Sequence, residues 1–467
     1  MSRNPRRRSS SLWTPPGSGS IARPSRRNIL ALGGATATAG LLAACGGPSV
    51  GGDTSREEHE ATDWDGVEPA ESITWWSNHP GNTLEWEQSV IDDFTAEHGI
   101  EVNLVTAGAN YDEIAQRFQA AAGTDEIPEL VGASDVWWFR YFVNGQIMPV
   151  DDVFAHLGVD TDDFIDTFYE DYVYEGLHYA APYARSTPLF YYNTELWEEA
   201  GLPDRGPETW DELQEWSEAL WEVVPDNGAP MGTGIGPSWA AWWYSNLSWG
   251  MGAQMSDEWE VTLDTEESLA AGNFVRDMFA GDDYFADFSS DTNADFQAGA
   301  FASLIGSTGS LTAHLEAADF EVGTAFLPGG PVDGPNVPTG GTGVAIAADR
   351  EPEQQLAAAM FLAYLTDTEN TASYSAETGY MPVRTSAAES EEMAQLYEDT
   401  PQFRTSVDQL ERTRVQDWHR VFTPGGDQII TDGMEQLILE GADAEDVWPE
   451  VTTQLERAYE ENVEPYL

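Results

Sequence analysis

Strand-like and helix-like segments alternate from residue 70 onward, and this alternation predicts an α/β fold with helices on both faces of a mixed sheet. Length is the second observation. With an N-terminal leader set aside, roughly 420 residues remain, enough for two large lobes. The third is aromatic content. Phe, Trp and Tyr make up 12% of the chain, with 18 tryptophans, so some of these rings are expected to face a ligand rather than fill a core.

The elements follow in order. Residues 73–76 (ITWW) read as a strand. Trp86, Val90, Ile91 and Phe94 recur at helical spacing, and Gly99 stands where that helix stops. Residues 100–104 alternate as a strand, Ile114, Phe118 and Ala121 mark a second helix, and residues 128–131 start another short strand. The run 186–193 (STPLFYYN) is strand-like. A helix is expected over 209–223, with Thr209 as N-cap, Glu212 closing a capping box, and Leu213, Trp216 and Leu220 on its buried face. Residues 231–252 turn aromatic and Gly-rich, helical spacing resumes through Phe296, and 301–305 reads as a buried strand ending in GSTGS. A Gly/Pro-rich stretch leads into a strand at 344–347. A helix over 353–365 follows, and beyond residue 382 the pattern is mostly helical with no internal repeat.

The N-terminal segment has a different character. Arg26 and Arg27 precede a weakly apolar run, residues 29–44, that closes on Leu42-Ala43-Ala44-Cys45. Its about 16 residues are too few and too rich in Gly and Ala for a membrane span of roughly 20. The arginine pair resembles a twin-arginine export signal. The Leu-Ala-Ala-Cys end resembles a lipobox, which implies cleavage after residue 44 and a lipid on Cys45. A buried Ala/Gly helix with a chance cysteine is the plainer alternative. Cys45 is the only cysteine, so disulfides, Cys-based metal sites and a thiol nucleophile are excluded for the remainder. Residues 45–69 are Gly-rich and then acidic and read as a flexible tether with a reach of roughly 25–30 Å.

Charge narrows the function. There are 82 acidic residues against 20 basic ones, a net charge of −62, and every basic residue is arginine. Such a surface repels nucleic acid and anionic lipid. No His-Glu-x-x-His or phosphate loop ending in Lys-Ser/Thr occurs, and Gly306-Ser307-Thr308-Gly309 is spaced wrongly for a nucleophile elbow. With so many acids, a search for glycosidase carboxylate pairs has no power, so a secreted glycan hydrolase stands as the competing class. Asp160-Thr161-Asp162-Asp163 hints at a calcium loop, but Ile165 replaces the turn glycine, and the segment reads as a solvated acidic turn. His79, His178 and His419 are scattered and read as structural or surface residues. Neither a metal nor a cofactor is expected.

Five stretches carry a family resemblance, in order and at matching spacing. They are residues 186–193 with Ala200-Gly201-Leu202-Pro203 and Thr209-Trp210; Phe296 and Gly299; Ser307-Thr308-Gly309-Ser310; Gly340-Gly341; and Thr378-Gly379-Tyr380-Met381-Pro382. On these the body resembles the extracellular solute-binding proteins of ABC importers, in the group that binds sugars and glycerol-3-phosphate, and within it the glycerol-3-phosphate-binding members. The resemblance implies a two-lobed, type II periplasmic-binding-protein-like fold, with a ligand cleft between lobes joined by crossing strands. It implies lobe one at 70–183 plus 340–376 and lobe two at 184–339 plus 377–467. It points to Tyr111, Asp135, Ser186, Trp239, Ser307, Gly341 and Tyr380 as ligand contacts, with Trp76, Trp138 and Trp242 as further stacking candidates. The implied partners are a small-molecule ligand and an ABC permease, and the implied address is the outer face of a membrane for a lipid-anchored, monomeric receptor. One departure bears on the ligand. Asp427 falls where the glycerol-3-phosphate binders carry an arginine, with Arg414 and Arg420 nearby. Without a cation beside Asp135 a phosphate dianion is disfavoured, so a neutral mono- or oligosaccharide is the expected ligand, with glycerol-3-phosphate or a glycerophosphodiester as the alternative.

Overall fold

Short runs of β-branched and aromatic residues pair into a first sheet: β1 (Ser72–Ser77), β2 (Glu101–Thr106), β3 (Leu130–Ser134), β4 (Ala181–Ser186) and, from far along the chain, β10 (Gly340–Ile346). The computed structural model describes residues 61–467 apart from 79–81, 109, 237–238 and 282; Arg26, Arg27, Cys45 and His79 lie outside the described residues. The strand order is β2-β1-β3-β10-β4. β1 runs parallel to β2 and β3, while β10 is antiparallel to β3 and β4. Helices cover both faces, as a buried mixed sheet requires. α1 (Asn82–His98) and α7 (Pro352–Leu365) pack on one face through Trp86, Val90, Phe94, Phe361 and Leu362. α2 (Tyr111–Ala121) and α3 (Trp138–Val143) pack on the other through Ile114, Phe118, Trp138 and Phe139.

A second sheet has the order β7-β6-β8-β5-β9, from β5 (Pro188–Asn193), β6 (Ala229–Thr233), β7 (Ala286–Asp287), β8 (Phe301–Ser307) and β9 (Val322–Ala325). α4 (Trp210–Val223), α5 (Ala240–Gly250), α6 (Glu266–Ala280), α10 (Gly426–Glu435) and α11 (Ala444–Asn462) share its apolar core. α8 (Thr368–Thr378) and the short α9 (Trp418–Val421) complete the elements used below. The type II two-sheet α/β fold expected from the sequence is the fold observed. No helix among the described residues is long and apolar enough to cross a membrane.

Several local expectations change. Thr209 caps α4, its Oγ1 accepting from the Glu212 N–H at 3.1 Å. The Glu212 carboxylate, however, accepts from the Glu208 N–H at 2.6 Å, because Arg205 holds it to that side at 2.8 Å. The expected box therefore closes one residue early. Residues 61–69 are not free tether. Trp64 is buried against the first sheet's core, and the Ala70 N–H donates to the Glu353 carbonyl at 2.8 Å. Asp163 in the acidic turn is not simply solvated: it accepts from the Ser386 N–H and hydroxyl at 2.9 and 2.6 Å. Trp75 and Trp76 are both buried.

The sheets are joined where strands cross. β4 ends at Ser186 in the first sheet and β5 begins at Pro188 in the second, leaving Thr187 between them. Two further segments lie alongside, residues Val337–Pro338 pairing with Thr413–Arg414. Asp171 ties two of these passages together. Its carboxylate pairs with the Arg185 guanidinium from β4 and accepts from the Thr339 hydroxyl at 2.5 Å. Arg185 is fully buried and also donates to the Tyr172 hydroxyl at 2.8 Å. Burial pushes the Asp171 carboxyl up to about 6, although Arg185 pulls it down. The folded value lies above the unfolded one, so the proton-linked part of its contribution is greatest below about pH 4 and is lost as pH rises through 6, above which the group stands ionised against Arg185. Removing the carboxylate strands a buried guanidinium. Asp171→Ala is expected to lower the unfolding free energy at pH 7.5 by about 3–5 kcal/mol, read as a lower urea midpoint at unchanged slope.

Candidate ligand site

The seven candidate residues come from seven separate stretches, most of them at element ends. Asp135 directly follows β3, Ser307 ends β8, Ser186 ends β4, and Gly341 is the second residue of β10. Tyr111 opens α2, whose N-cap Asn110 accepts from the Glu113 N–H at 2.9 Å. Trp239 is the N-cap of α5, and Tyr380 follows the left-handed Gly379 that stops α8. Clustering at strand ends is where α/β sheets bind ligands, since loops there are free to vary while the sheet fixes their roots.

A continuous set of contacts joins all seven. The Asp135 N–H donates to the Gly341 carbonyl at 3.1 Å. Gly340 is the register partner of Ser186. The Trp242 ring lies so close to Gly340 that a Cβ there would meet it at 2.7 Å, and the Trp242 N–H donates to the Thr339 carbonyl at 2.8 Å. Trp239 meets Trp242 edge-on, with ring centroids 5.7 Å apart. On the other side the hydroxyls of Tyr111 and Tyr380 hydrogen-bond, and burial raises both above the ordinary tyrosine value, so both stay protonated. Tyr380 lies against Gly309, where a Cβ would stand 2.8 Å from its ring, and the Gly309 N–H donates to the Ser307 hydroxyl at 3.1 Å. Thr187 and Thr308 close the loop with mutual hydrogen bonds of 3.0 and 3.2 Å. Asp135 and Ser186 are buried, whereas Tyr111, Trp239, Ser307, Gly341 and Tyr380 are half-buried.

Of the extra stacking candidates, Trp138 is core. It is fully buried between Tyr179, Tyr172 and Phe422 and presents no face to a ligand. Trp76 is covered by the Arg117 guanidinium, 4.3 Å from its ring centre. Trp242 keeps its place beside the site but is buried.

The cation is what sequence reasoning left open. Arg420, in α9, is buried beside Asp135, with Nη1 at 3.2 Å from Oδ2. The same nitrogen meets the Gln416 side-chain oxygen, while the Gln416 amide donates to Asp135 at 2.8 Å. Its Nε stands 2.9 Å from the Asp427 carboxylate in the first turn of α10. A guanidinium therefore stands beside Asp135, and the premise that none does is corrected. Arg414 is half-exposed, over the Trp249 ring and 3.6 Å from Asp417. Gln416 had no signal in the sequence. Arg420 had a faint one, an arginine set among Trp418, Val421 and Phe422.

The model of the bacterial extracellular solute-binding protein family matches residues 89–405, most of the chain. The chain belongs to this family. Its members capture small molecules outside the cytoplasm and deliver them to ABC permeases. It is 26% identical over 358 residues to the sn-glycerol-3-phosphate-binding periplasmic protein UgpB of Escherichia coli K12, an alignment covering 73% of this chain and 80% of that one. It is 40% identical to UgpB of Mycobacterium tuberculosis, solved in complex with glycerophosphocholine, with a TM-score of 0.80 over 84% of this chain and 100% of that one. The GacH receptor of Streptomyces glaucescens, described unliganded and with acarbose, shares the fold at 20% identity and a TM-score of 0.70, over 85% of this chain and 99% of that one.

Gly341 gives the site's sharpest steric test. Its φ is +94°, and a Cβ would stand 2.2 Å from the Ala184 carbonyl oxygen. Gly341→Ala must displace β10 from β4. The expected cost is at least about 1–3 kcal/mol from backbone strain alone, read as a fall in melting temperature.

Proposed function

We propose that this chain is the extracytoplasmic receptor of an ABC importer and that its ligand is a glycerophosphodiester. The single observation that carries the choice of ligand is the buried Arg420–Asp135 pair inside the ring of candidate contacts. A guanidinium suits a phosphodiester oxygen pair, and a carboxylate accepts from a glycerol hydroxyl more strongly than a neutral acceptor does. Ser186 and Ser307 supply hydroxyls that donate or accept. Trp239 offers an apolar, electron-rich face to the alcohol substituent of the diester, a cationic one included. The mycobacterial relative, solved with glycerophosphocholine, supports the same reading at 40% identity. The neutral sugar expected from the sequence rested on the absence of a cation at Asp135, and that ground is gone. The sugar-binding structural neighbours at about 20% identity support the fold and not the ligand.

In this reading the lobes are 70–183 with 340–376 and 184–339 with 377–467, turning about the passage at Thr187. The ligand stabilises the closed arrangement by touching both. The ring of contacts supports this, since Tyr111 and Asp135 follow the first sheet's strands while Ser307 ends a strand of the second and Trp239 caps a helix of its core. Cys45, as a lipid-bearing residue, would keep the receptor at the membrane that holds its permease. A glycan hydrolase finds no support in the family.

Titration calorimetry of the body with glycerophosphocholine and with maltose tests the ligand. Saturable binding of the diester alone is expected; binding of maltose alone contradicts the proposal. Asp135→Asn removes a charged acceptor worth about 1.5–3 kcal/mol, so diester affinity is expected to fall by roughly 10–100-fold.

A further inference from the structure

Three tyrosine rings stack in a column that ends at the candidate contact Tyr380. Tyr183 comes from β4, Tyr374 from α8, and Tyr380 from the turn after it. The Tyr183 and Tyr374 ring centroids lie 4.8 Å apart with planes inclined by 26°. Those of Tyr374 and Tyr380 lie 5.6 Å apart with planes inclined by 13°. Both fall in the range of offset-stacked pairs, in which one ring favours a particular plane for the next. Tyr374 is 1% exposed, with Trp86 of α1 at 4.7 Å, and the Trp86 indole donates to the Ser373 hydroxyl at 3.1 Å. The foot of the column is anchored to the first sheet. Tyr183 meets Trp75 of β1 edge-on, and its hydroxyl donates at 3.1 Å to the buried Glu87 carboxylate, which also accepts from the Ser77 hydroxyl at 2.8 Å.

The backbone of Tyr380 is held by the same helix that carries Tyr374. Its N–H donates to the Thr378 hydroxyl at 3.1 Å, and its carbonyl accepts from the Ser375 hydroxyl. The side chain still has two torsions to settle. Tyr374 lies along one face of the Tyr380 ring, and Gly309 lies against its Cδ1, Cε1 and Cζ atoms, where a Cβ would stand 2.8–3.1 Å away. That face is therefore taken up by protein. The hydroxyl is the group that reaches the ring of candidate contacts, where it bonds to the hydroxyl of Tyr111.

We infer that Tyr374 is a positioning residue for ligand recognition: its ring fixes the plane of Tyr380, so that Tyr380 meets the ligand through its hydroxyl and not through a stacking face. The choice of test ligand rests on the glycerophosphodiester reading, whereas the stack does not. Burial keeps the Tyr380 phenol protonated, so it is a donor suited to a phosphodiester or glycerol oxygen. A ring already set in place does not have to be ordered when the ligand arrives, and that removes a cost binding would otherwise carry. Tyr374 touches no other candidate contact in this role; it acts through Tyr380.

The experiment is calorimetry with glycerophosphocholine on the wild-type body, Tyr374→Phe, Tyr374→Leu, Tyr374→Met and Tyr380→Phe, with circular dichroism confirming each fold. Crystal structures of the wild type and the Tyr374 variants show where the Tyr380 ring lies. Tyr374→Phe keeps a ring in the stack and is expected to bind as the wild type does. Tyr374→Leu and Tyr374→Met remove it and are expected to weaken binding by roughly 3–10-fold, the scale of a lost aromatic pair, with the Tyr380 hydroxyl moved off Tyr111. Whichever aliphatic variant folds is then combined with Tyr380→Phe. With no hydroxyl left to position, the second substitution is expected to change affinity by less than about twofold. An equal loss with and without the Tyr380 hydroxyl marks a general packing role and overturns the inference. So does a Tyr380 ring unmoved in the folded variants, or failure of both aliphatic variants to fold. A wild type that does not bind glycerophosphocholine overturns the glycerophosphodiester reading instead, and the position of the Tyr380 ring in the crystal structures then decides the role of Tyr374.

Discussion

The Arg420 guanidinium is the constraint on which the site depends. A buried cation costs several kcal/mol unless it is paired and hydrogen-bonded, and this one finds its partners in three different places. Asp135 comes from the first sheet, Gln416 from the segment before α9, and Asp427 from α10. Meeting that need fixes where the C-terminal helices lie. Phe422, two residues on, stacks on Phe139 of α3 with ring centroids 4.7 Å apart, while α10 and α11 share the second sheet's core. The C-terminal region therefore packs against both sheets, with the guanidinium at the seam.

The crossing passages obey a second electrostatic requirement. Asp171 reaches Arg185 on one passage and Thr339 on another, so a single carboxylate sets the spacing of the chain segments about which the sheets would turn. Gly340 and Gly341 sit next to that clip. Trp242 presses on the first, and the second has a backbone that only glycine adopts without strain. Ser186 and Asp135 are held by the register and the hydrogen bond this close approach permits. The geometry of the candidate contacts is thus a consequence of backbone packing at the crossing, and a Cβ at either glycine would disturb it.

Much of this was legible in the chain because the evidence for it was local. Strand and helix periods placed β1, α1, β2 and α2 and the long helices, and Thr209 marked a helix start through chemistry that acts within a few residues. The order and spacing of the Ser186, Ser307, Gly341 and Tyr380 stretches carried the family and its two-sheet architecture. What failed was non-local. Arg420 and Asp135 are 285 residues apart, and no periodicity says which of two nearby arginines turns inward. Trp138 and Trp239 look alike in sequence. One is enclosed by Tyr172, Tyr179 and Phe422, and the other stands half-open at a helix start, a difference made by tertiary packing alone. The acidic stretch before residue 70 read as tether because polar composition outweighed the single Trp64 that anchors it.

The most direct measurement of the central claim is a crystal structure of the body grown with glycerophosphocholine. The account predicts phosphate density within hydrogen-bonding distance of the Arg420 guanidinium and a glycerol hydroxyl on Asp135. Diester density elsewhere, with the Arg420–Asp135–Gln416 cluster untouched and the contact ring empty, would contradict it.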